Sequence, residues 1–423
     1  VLDIKAIRED PEPFRAGLAR RNMADAVDRL LAADERRRAL TAKVEELRAA
    51  RNRASKRIGG AQGEGKQELI AEVSGISAEL KRLEPELEEA ERSLSELLDT
   101  VPNVPHGSAP DGLTEEDAVE VRRKGEPRKF GFEPRDHVAL GELLGVLDTD
   151  RGSRTSGSRF VYLLGDIVLV QFALVRHALD ILIAKGFTPV IPPVLVREEA
   201  MYGTGFLPTD RANLYVTSED DLYLVGTSEV PLAAFRMGEI VDEADLPLRY
   251  TGYSTCFRRE AGTYGKDMGG MFRVHQFDKV EMFSFTRPED SWDEHEFMLS
   301  IEEEIVGSLD VPYRVMNMAA GDLGASAAKK YDIEVWLPGQ GRYRELTSCS
   351  NCTDYQARRL QTRIRRSGGG IEVLHTLNGT ATAIGRTLIA ILENHQREDG
   401  SVEIPPALHP YLPESARVLR PKP

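Results

Sequence analysis

From Leu69 onward the apolar positions Leu69, Val73, Ile76, Leu80, Leu83, Leu87, Ala90, Leu94 and Leu97 alternate spacings of four and three. That is the period of a coiled-coil seam. Upstream, Val27, Leu30, Leu31, Leu40, Val44 and Leu47 form a looser helical stripe. The stretch IGGAQGEGK between the two (residues 58–66) contains four glycines and cannot continue a helix cheaply. Two long helices joined by such a turn are expected to fold back as an antiparallel pair. Pro85 falls inside the second helix, where it removes a backbone donor and should kink the arm locally.

The helical pattern stops near Asp99. TVPNVPHGSAPDGL (residues 100–113) is rich in proline and glycine and reads as an extended linker. The expected organisation is an N-terminal domain over residues 1–99, a linker over 100–115 and a larger domain over 116–423. The most apolar segment, Ile167 to Ile183, is broken by Arg176, His177 and Asp180. A membrane span needs about 20 nearly uncharged residues, so a buried helix is expected here, closed by Gly186 at its C′ position. FTPVIPPVLV reads as a strand stopped by Pro192 and Pro193. Strand candidates recur at LYLVG, LRYTGYSTCF, FRVHQFDKVEMFSF, YRVMNM, IEVWLP and YRELTS. A meander of such runs with helices segregated from it predicts an α+β fold built on an antiparallel sheet. No internal repeat or dinucleotide fingerprint is visible.

Composition refines this picture. The chain has 423 residues and is 41% hydrophobic, room for two or three domains at about 100–200 residues each. A net charge of −14 argues against a general polyanion binder. The charge is uneven, however: Arg36, Arg37, Arg38, Lys43, Arg48, Arg51, Arg53, Lys56 and Arg57 face only Glu45 and Glu46 in the same segment. One basic segment on an acidic body suits a polyanion that docks at one place. Three cysteines and the lack of a leader-like pattern lead to the expectation of a reducing, cytoplasmic location with no membrane association.

The chemistry concentrates in TCFRREAGTYGKDMGGMFRVHQFDKVEMF (residues 255–283). Arg258 and Glu260 end one apolar run, a loop with Gly262, Gly265, Gly269 and Gly270 follows, and a second run carries Arg273, His275, Lys279 and Glu281. Strand alternation would point Arg258 and Glu260 the same way and Arg259 the other. An arginine fork suits phosphate, and a nearby carboxylate can take an amine or a ribose hydroxyl. Alone, an Arg-x-Glu pair is more often an exposed cross-strand salt bridge. Arg273 and Glu281 share parity but would lie roughly 26 Å apart on a straight strand, so Arg273 belongs where the loop bends back.

Other stretches repeat the theme. Thr227 and Glu229 precede Pro231, a plausible first-turn residue of a helix. Glu345 and Ser348, expected at a strand end, could share a hard cation such as Mg²⁺ or form a turn with capping hydroxyls. The small residues Asn378 to Ala383 lead into Arg386 at the start of an apolar helix, a pattern that admits a flat ring but also describes ordinary helix–sheet packing. For Cys349-x-x-Cys352 only Cys256 and His275 remain as partners, so no zinc is expected. No Ser-His-Asp arrangement is evident.

Together these elements resemble the bacterial-type seryl-tRNA synthetases, over essentially the whole chain. The likeness rests on the helical hairpin, the VPNVPHGSAPDG linker and the TSE triplet. It rests also on the three class II motifs: GFTPVIPPVLV, FRREAG with RVHQFDKVEMF, and LNGTATAIGR. ELTSCSNCTDYQARR matches as well. The resemblance implies a class II synthetase sheet, a homodimer with motif 1 at its interface, and activation of L-serine by ATP with Mg²⁺, followed by transfer to tRNA(Ser), and to tRNA(Sec) where present. Carried over, Arg258, Glu260 and Arg386 are catalytic. Arg258, Arg259, Glu260, Arg273, Val274, Glu345, Leu346, Thr347, Ser348 and Arg386 contact ATP, with Glu345 and Ser348 on the metal. Thr227, Ser228, Glu229, Glu281 and Thr380 line the serine pocket, and the Arg36–Arg57 segment holds the long variable arm of the tRNA. One departure stands out: relatives commonly carry Arg-Gly where this chain has Gly269-Gly270. That change is compatible with a diverged second copy serving antibiotic self-resistance or biosynthetic seryl-tRNA supply. A ligase that loads a carrier protein would lack the arm and use metal-binding Cys/His. A catalytically dead interaction protein would lose Arg258, Glu260, Glu345 or Arg386, all of which are present.

Overall fold

The computed structural model describes residues 1–261 and 269–421. Gly262 and Gly265 of the glycine loop lie outside the described residues. The chain divides into two units, residues 1–102 and 103–423.

The first unit is all-helical. Short helices α1 (Ile4–Glu9) and α2 (Pro11–Ala19) precede the long α3 (Ala26–Ile58) and α4 (Glu64–Thr100). The α3–α4 turn falls on the glycines: α3 ends before Gly59, and Gly63, at φ +62°, opens the way into α4. Every seam position from Leu69 to Leu97 is buried or half-buried. Val44 of α3 is buried with Leu80 and Leu83 of α4, flanked by Leu40, Leu47, Ile76 and Leu87. Pro85 does not interrupt α4; it occupies an exposed position of a helix that continues to Thr100. Near the base of the arm the buried Asp34 accepts hydrogen bonds from Arg8 (2.9 Å) and Arg37 (2.7 Å). Burial alone would raise its pKa, but the two guanidiniums outweigh that and hold it below the usual aspartate range.

The second unit is built on an eight-stranded sheet. In chain order its strands are β1 (Val119–Lys124), β2 (Thr188–Val190), β3 (Leu248–Phe257), β4 (Gln276–Thr286), β5 (Tyr313–Asn317), β6 (Lys329–Leu337), β7 (Arg342–Thr353) and β8 (His375–Ala383). They lie side by side as β1-β5-β6-β7-β8-β4-β3-β2. All neighbours are antiparallel except the edge pair β2–β3, which is parallel. The helices that matter for the site are α5 (His137–Leu144), α6 (Asp166–Ala184), α7 (Glu229–Ala234), α8 (Ser291–Ser308), α9 (Tyr355–Leu360) and α10 (Ile384–Asn394). One face of the central strands packs Val280, Met282, Leu346, Cys349, Leu377 and Ala381 with α8 residues Met298, Leu299 and Ile301. On the other face Phe283 and Phe285 pack with Leu232 of α7 and Leu360 of α9.

Four expectations change. The second strand of the charged hairpin begins at Gln276 rather than Phe272, so Phe272 to His275 lie outside the ladder. Glu345 and Ser348 do not end a strand, because β7 runs on to Thr353. The Asn378–Ala383 stretch, read as a helix lead-in, is itself the second half of β8. Helix α6 is buried on one side only: Ile167, Val170, Leu174, Ala178 and Leu182 enter the core, while Leu169, Phe172 and Ile183 are exposed. Among the described residues it is the one helix long and apolar enough to cross a membrane by length and composition. Thr100 still belongs to α4, and residues 101–114 of the linker carry no helix or strand. From Asn103 it is bonded into the second unit, with the Asn103 amide donating to Ser326 O, Cys352 O and Thr353 Oγ1.

Candidate active site

Two β-bulges set the phase of the strands that line the cleft. Opposite β6, Ile333 pairs with Thr347 and Glu334 with Glu345, leaving Leu346 as an extra residue on β7. Opposite β4, Val280 pairs with Thr382 and Glu281 with Thr380, leaving Ala381 extra on β8. On a regular strand, positions three apart face opposite ways; one inserted residue restores them to the same side. Glu345 and Ser348 therefore open to the cleft together, as do Thr380 and Ala383. Leu346 and Ala381 turn to the α8 side, where Thr347 also donates to the buried Glu302 of α8 at 2.8 Å.

The cleft encloses about 850 Å³ including its open mouth, and Arg258, Glu260, Arg273, Lys279, Glu345, Ser348, Thr380 and Arg386 contribute its polar wall. Arg258 and Glu260 share it, though not through strand alternation. Strand β3 ends at Phe257, and Glu260 sits at φ +50°, a left-handed turn that brings its carboxylate back to accept from Arg273 Nη1 at 3.1 Å. Arg258 is braced by its Nε donating to Gly226 O (3.0 Å) and by the Phe277 ring beneath its guanidinium at 5.2 Å. Its terminal nitrogens remain to face a ligand. Arg259 is exposed and does not line the cleft.

Phe272 carries two guanidiniums against its ring, Arg344 at 3.8 Å and Arg386 at 4.8 Å. Arg386 also pairs with Glu345 at 3.1 Å. Desolvation inside the cleft would raise the Glu345 carboxyl, although its side chain is 46% exposed, but Arg386, Lys330 and Arg258 together hold it well below the usual range, so it is an anion.

Deeper in, Lys279 forms an ion pair with Glu281. Glu281 is fully buried, and burial pushes its carboxyl up to about 7 despite the opposing charge of Lys279. Glu229, at the start of α7, is raised too by burial. Its Oε1 accepts from Gln356 Nε2 (2.7 Å) and Asn378 Nδ2 (2.9 Å). The Thr227 hydroxyl accepts from the backbone N–H of Glu229 at 3.1 Å, and buried Ser228 donates to Gly252 O at 3.3 Å, so Ser228 serves the scaffold rather than the cavity. Leu346 and Thr347 reach the cleft only along the β7 edge, since their side chains face α8.

Sequence reasoning missed Lys279 and Phe272 as parts of this wall, and Gln356 and Asn378 as the partners that hold Glu229. Lys279 was legible, two residues before Glu281 on the same strand face. Phe272 adjoins Arg273 in the chain, whereas Gln356 and Asn378 meet Glu229 only by tertiary folding. Cys256, Cys349 and Cys352 are free and buried; Asn378 Nδ2 lies 3.4 Å from Cys352 Sγ. Among the described residues no group of three His, Cys, Asp or Glu could hold a metal.

A mainly antiparallel sheet whose bulged strands present Glu345, Ser348 and Thr380 to an open cleft, joined there by Arg258 just past β3, Arg273 just before β4 and Arg386 in α10, defines a class II aminoacyl-tRNA synthetase core. Comparison with known proteins is specific. Residues 1–105 match the seryl-tRNA synthetase N-terminal domain, and residues 214–395 match the tRNA synthetase class II core domain (G, H, P, S and T). The serine–tRNA ligase of Acidothermus cellulolyticus is 51% identical over 423 residues, covering 100% of both chains. That of Streptomyces coelicolor is 50% identical over 416 residues, covering 97% of each. Among solved structures, seryl-tRNA synthetase from Pyrococcus horikoshii complexed with ATP superposes with TM-score 0.94 at 44% identity, covering 100% of both chains. The cytoplasmic serine–tRNA ligase of Naegleria fowleri in complex with AMP gives TM-score 0.89 at 37% identity, covering 100% of this chain and 99% of that one. The chain belongs to the seryl-tRNA synthetase family.

Proposed function

We infer that this chain activates L-serine with ATP to seryl-adenylate and pyrophosphate and passes the seryl group to tRNA(Ser). The observation that carries the reading is the cleft's division into two charge environments. At its mouth lie Arg258, Arg386 and the anionic Glu345, suited to a triphosphate. At its floor lie Lys279 and Thr380, backed by Glu281, ion-paired with Lys279, and by the neighbouring Glu229, a set suited to a small zwitterion with a hydroxyl. The purine is placed against Phe272, where the Arg386 guanidinium, 4.8 Å from the ring centroid, has to withdraw by about a ring's thickness to admit it.

The chemistry needs no covalent nucleophile. A serine carboxylate oxygen attacks the α-phosphorus, an O–P bond forms, and the bond to the pyrophosphate oxygen breaks. Arg258 stabilises the charge that builds on the α-phosphate oxygens, and the cleft aligns the reactants. Glu345 and Ser348 fit Mg²⁺, which takes one or two protein oxygens and completes its shell with phosphates and water. When bound there it would neutralise phosphate charge. Glu281 and Thr380 accept the serine hydroxyl and Glu229 the ammonium. A site built for a hydroxyl can reject an analogue lacking it by about 10⁴–10⁵. The assay of the whole reading is serine-dependent ATP–pyrophosphate exchange across the amino acids, followed by charging of total tRNA. Exchange with another amino acid, or none, would overturn it.

Two expectations follow for the floor. Thr380→Val removes a polar partner, worth about 1–3 kcal/mol when buried, so the serine KM should rise roughly 5- to 150-fold while the ATP KM holds. Unchanged serine dependence would remove Thr380 from the pocket. Second, Glu281 ionises near pH 7, so it is charged above that value and neutral below. A neutral carboxyl is a weaker acceptor for the serine hydroxyl than a carboxylate, so kcat/KM for serine should fall as pH drops through about 7. A flat profile between pH 6 and 8 would contradict the role.

The exposed face of α6, with Leu169, Phe172 and Ile183, lies in the same unit as the edge strand β2 and Ile191, which is 87% exposed. Together they support a homodimer through motif 1. Phe172→Glu should yield a monomer by light scattering; a persistent dimer would place the interface elsewhere.

A further inference from the structure

The cleft's two nucleotide-facing side chains, Phe272 and Arg386, come from separate elements. A buried relay on neither wall connects their backbones. Glu393, in the last turn of α10, is fully buried. Its Oε1 accepts from the backbone N–H of His137 (3.1 Å) and faces His137 Nδ1 (3.1 Å), while its Oε2 accepts from Gly339 N–H (2.9 Å). His137, the first residue of α5, is only 4% exposed. Its other ring nitrogen, Nε2, lies 3.4 Å from the backbone nitrogen of Met271. An amide nitrogen can only donate, so Nε2 accepts. A neutral imidazole that accepts at Nε2 carries its proton on Nδ1, where Glu393 receives it. The path from the helix of Arg386 to the residue before Phe272 is therefore one polarised chain: Glu393, His137, Met271.

The backbone around Met271 is shaped to receive that imidazole. Gly270 is at φ +73°, and a Cβ built there would lie 2.2 Å from His137 Nε2. No side chain fits at 270 while His137 occupies this position. Gly269, by contrast, has only Val138 Cγ2 near its Cβ direction, at 3.9 Å.

We propose that His137 is a positioning residue for nucleotide binding. Held by Glu393, it fixes the Met271–Phe272 backbone relative to α10, so that the Phe272 ring stays in place and the Arg386 side chain is the part that yields when a purine enters. The proposal rests on the assignment of Phe272 and Arg386 to the nucleotide.

Two substitutions separate the arms of the relay. His137→Asn keeps an amide donor near the Nδ1 position for Glu393 but cannot reach Met271. His137→Gln is long enough to present an acceptor near Nε2. ATP affinity is measured directly by calorimetry, alongside exchange kinetics for ATP and serine and the melting temperature. Loss of one hydrogen bond that orders a binding residue predicts ATP binding weakened about three- to tenfold in His137→Asn. The serine KM and melting temperature should be close to the unsubstituted protein, and His137→Gln should restore ATP affinity. ATP affinity unchanged in His137→Asn overturns the proposal. So does a joint loss of ATP affinity, serine affinity and melting temperature in both variants, which would make His137 a packing residue. Because the calorimetric arm uses ATP alone, an error in the serine assignment would appear only in the exchange arm and leave the relay separately decided.

Discussion

Arg258→Lys is expected to cut the rate of adenylate formation by about 10²–10³-fold, the usual cost of removing one preorganised donor from a developing charge, while the ATP KM changes little. The reason lies in how Arg258 is held. Its Nε is committed to Gly226 O and its plane rests on Phe277, so the terminal nitrogens are aimed before the ligand arrives. Lysine keeps the charge but has no fork to anchor with one nitrogen and present the others, and its ammonium is a mobile point charge. Ground-state attraction for a triphosphate survives that change; in-line stabilisation of the α-phosphate in the transition state does not. Single-turnover formation of adenylate, compared with ATP KM, gives the answer. A loss confined to KM would make Arg258 a binding residue only.

The second large effect concerns the arm. Excising residues 41–86 and joining Leu40 to Leu87 through a short flexible linker should leave serine-dependent exchange intact and lower tRNA charging by about two orders of magnitude or more, because the phosphate contacts that dominate such binding go with it. The cut is placed by the packing: Leu40 and Leu87 belong to one cluster, and the buried Asp34 keeps Arg8 and Arg37. The nine basic residues are not equivalent. Arg37 is bound to Asp34, Lys43 pairs with Glu79 at 3.1 Å, and Arg48 with Glu84 at 2.8 Å. Arg36, Arg38, Arg53, Lys56 and Arg57 are exposed and Arg51 half-buried. Arg53, Lys56 and Arg57 changed together to glutamate should flatten the salt dependence of tRNA binding by about one unit of slope per lost phosphate contact. Equal loss of exchange and charging in the excised protein would assign the arm to the stability of the whole. Retained charging would remove the docking role.

How far the sequence could be read depended on whether a feature leaves a period. The α3–α4 pair was legible because a seam repeats for nine positions and glycine punctuates its turn. The grouping of Arg258 with Glu260 was reached from alternation, although the strand stops at Phe257 and the turn at Glu260 does the work. Strand β8 escaped notice because Asn378 to Ala383 are all small, with no large apolar residue to mark a buried face. Glu345 and Ser348 were placed at a strand end because the run YRELTS was read as stopping at Ser348; the single inserted residue inside it leaves no periodic trace. The exposed half of α6 reads the same in sequence whether water or protein covers it.

Those two inserted residues have a consequence for how this chain can vary. Leu346 and Ala381 are ordinary apolar side chains, and another residue of similar size could replace either with modest loss. Their removal is a different matter. Deleting one would give the sheet a more regular ladder, yet everything on one side of the deletion would change faces. Ser348 would turn toward α8 while Glu345 stayed at the cleft, or Thr380 would part from Ala383. At these positions the length of the chain, more than the identity of the residue, is what selection has to hold constant.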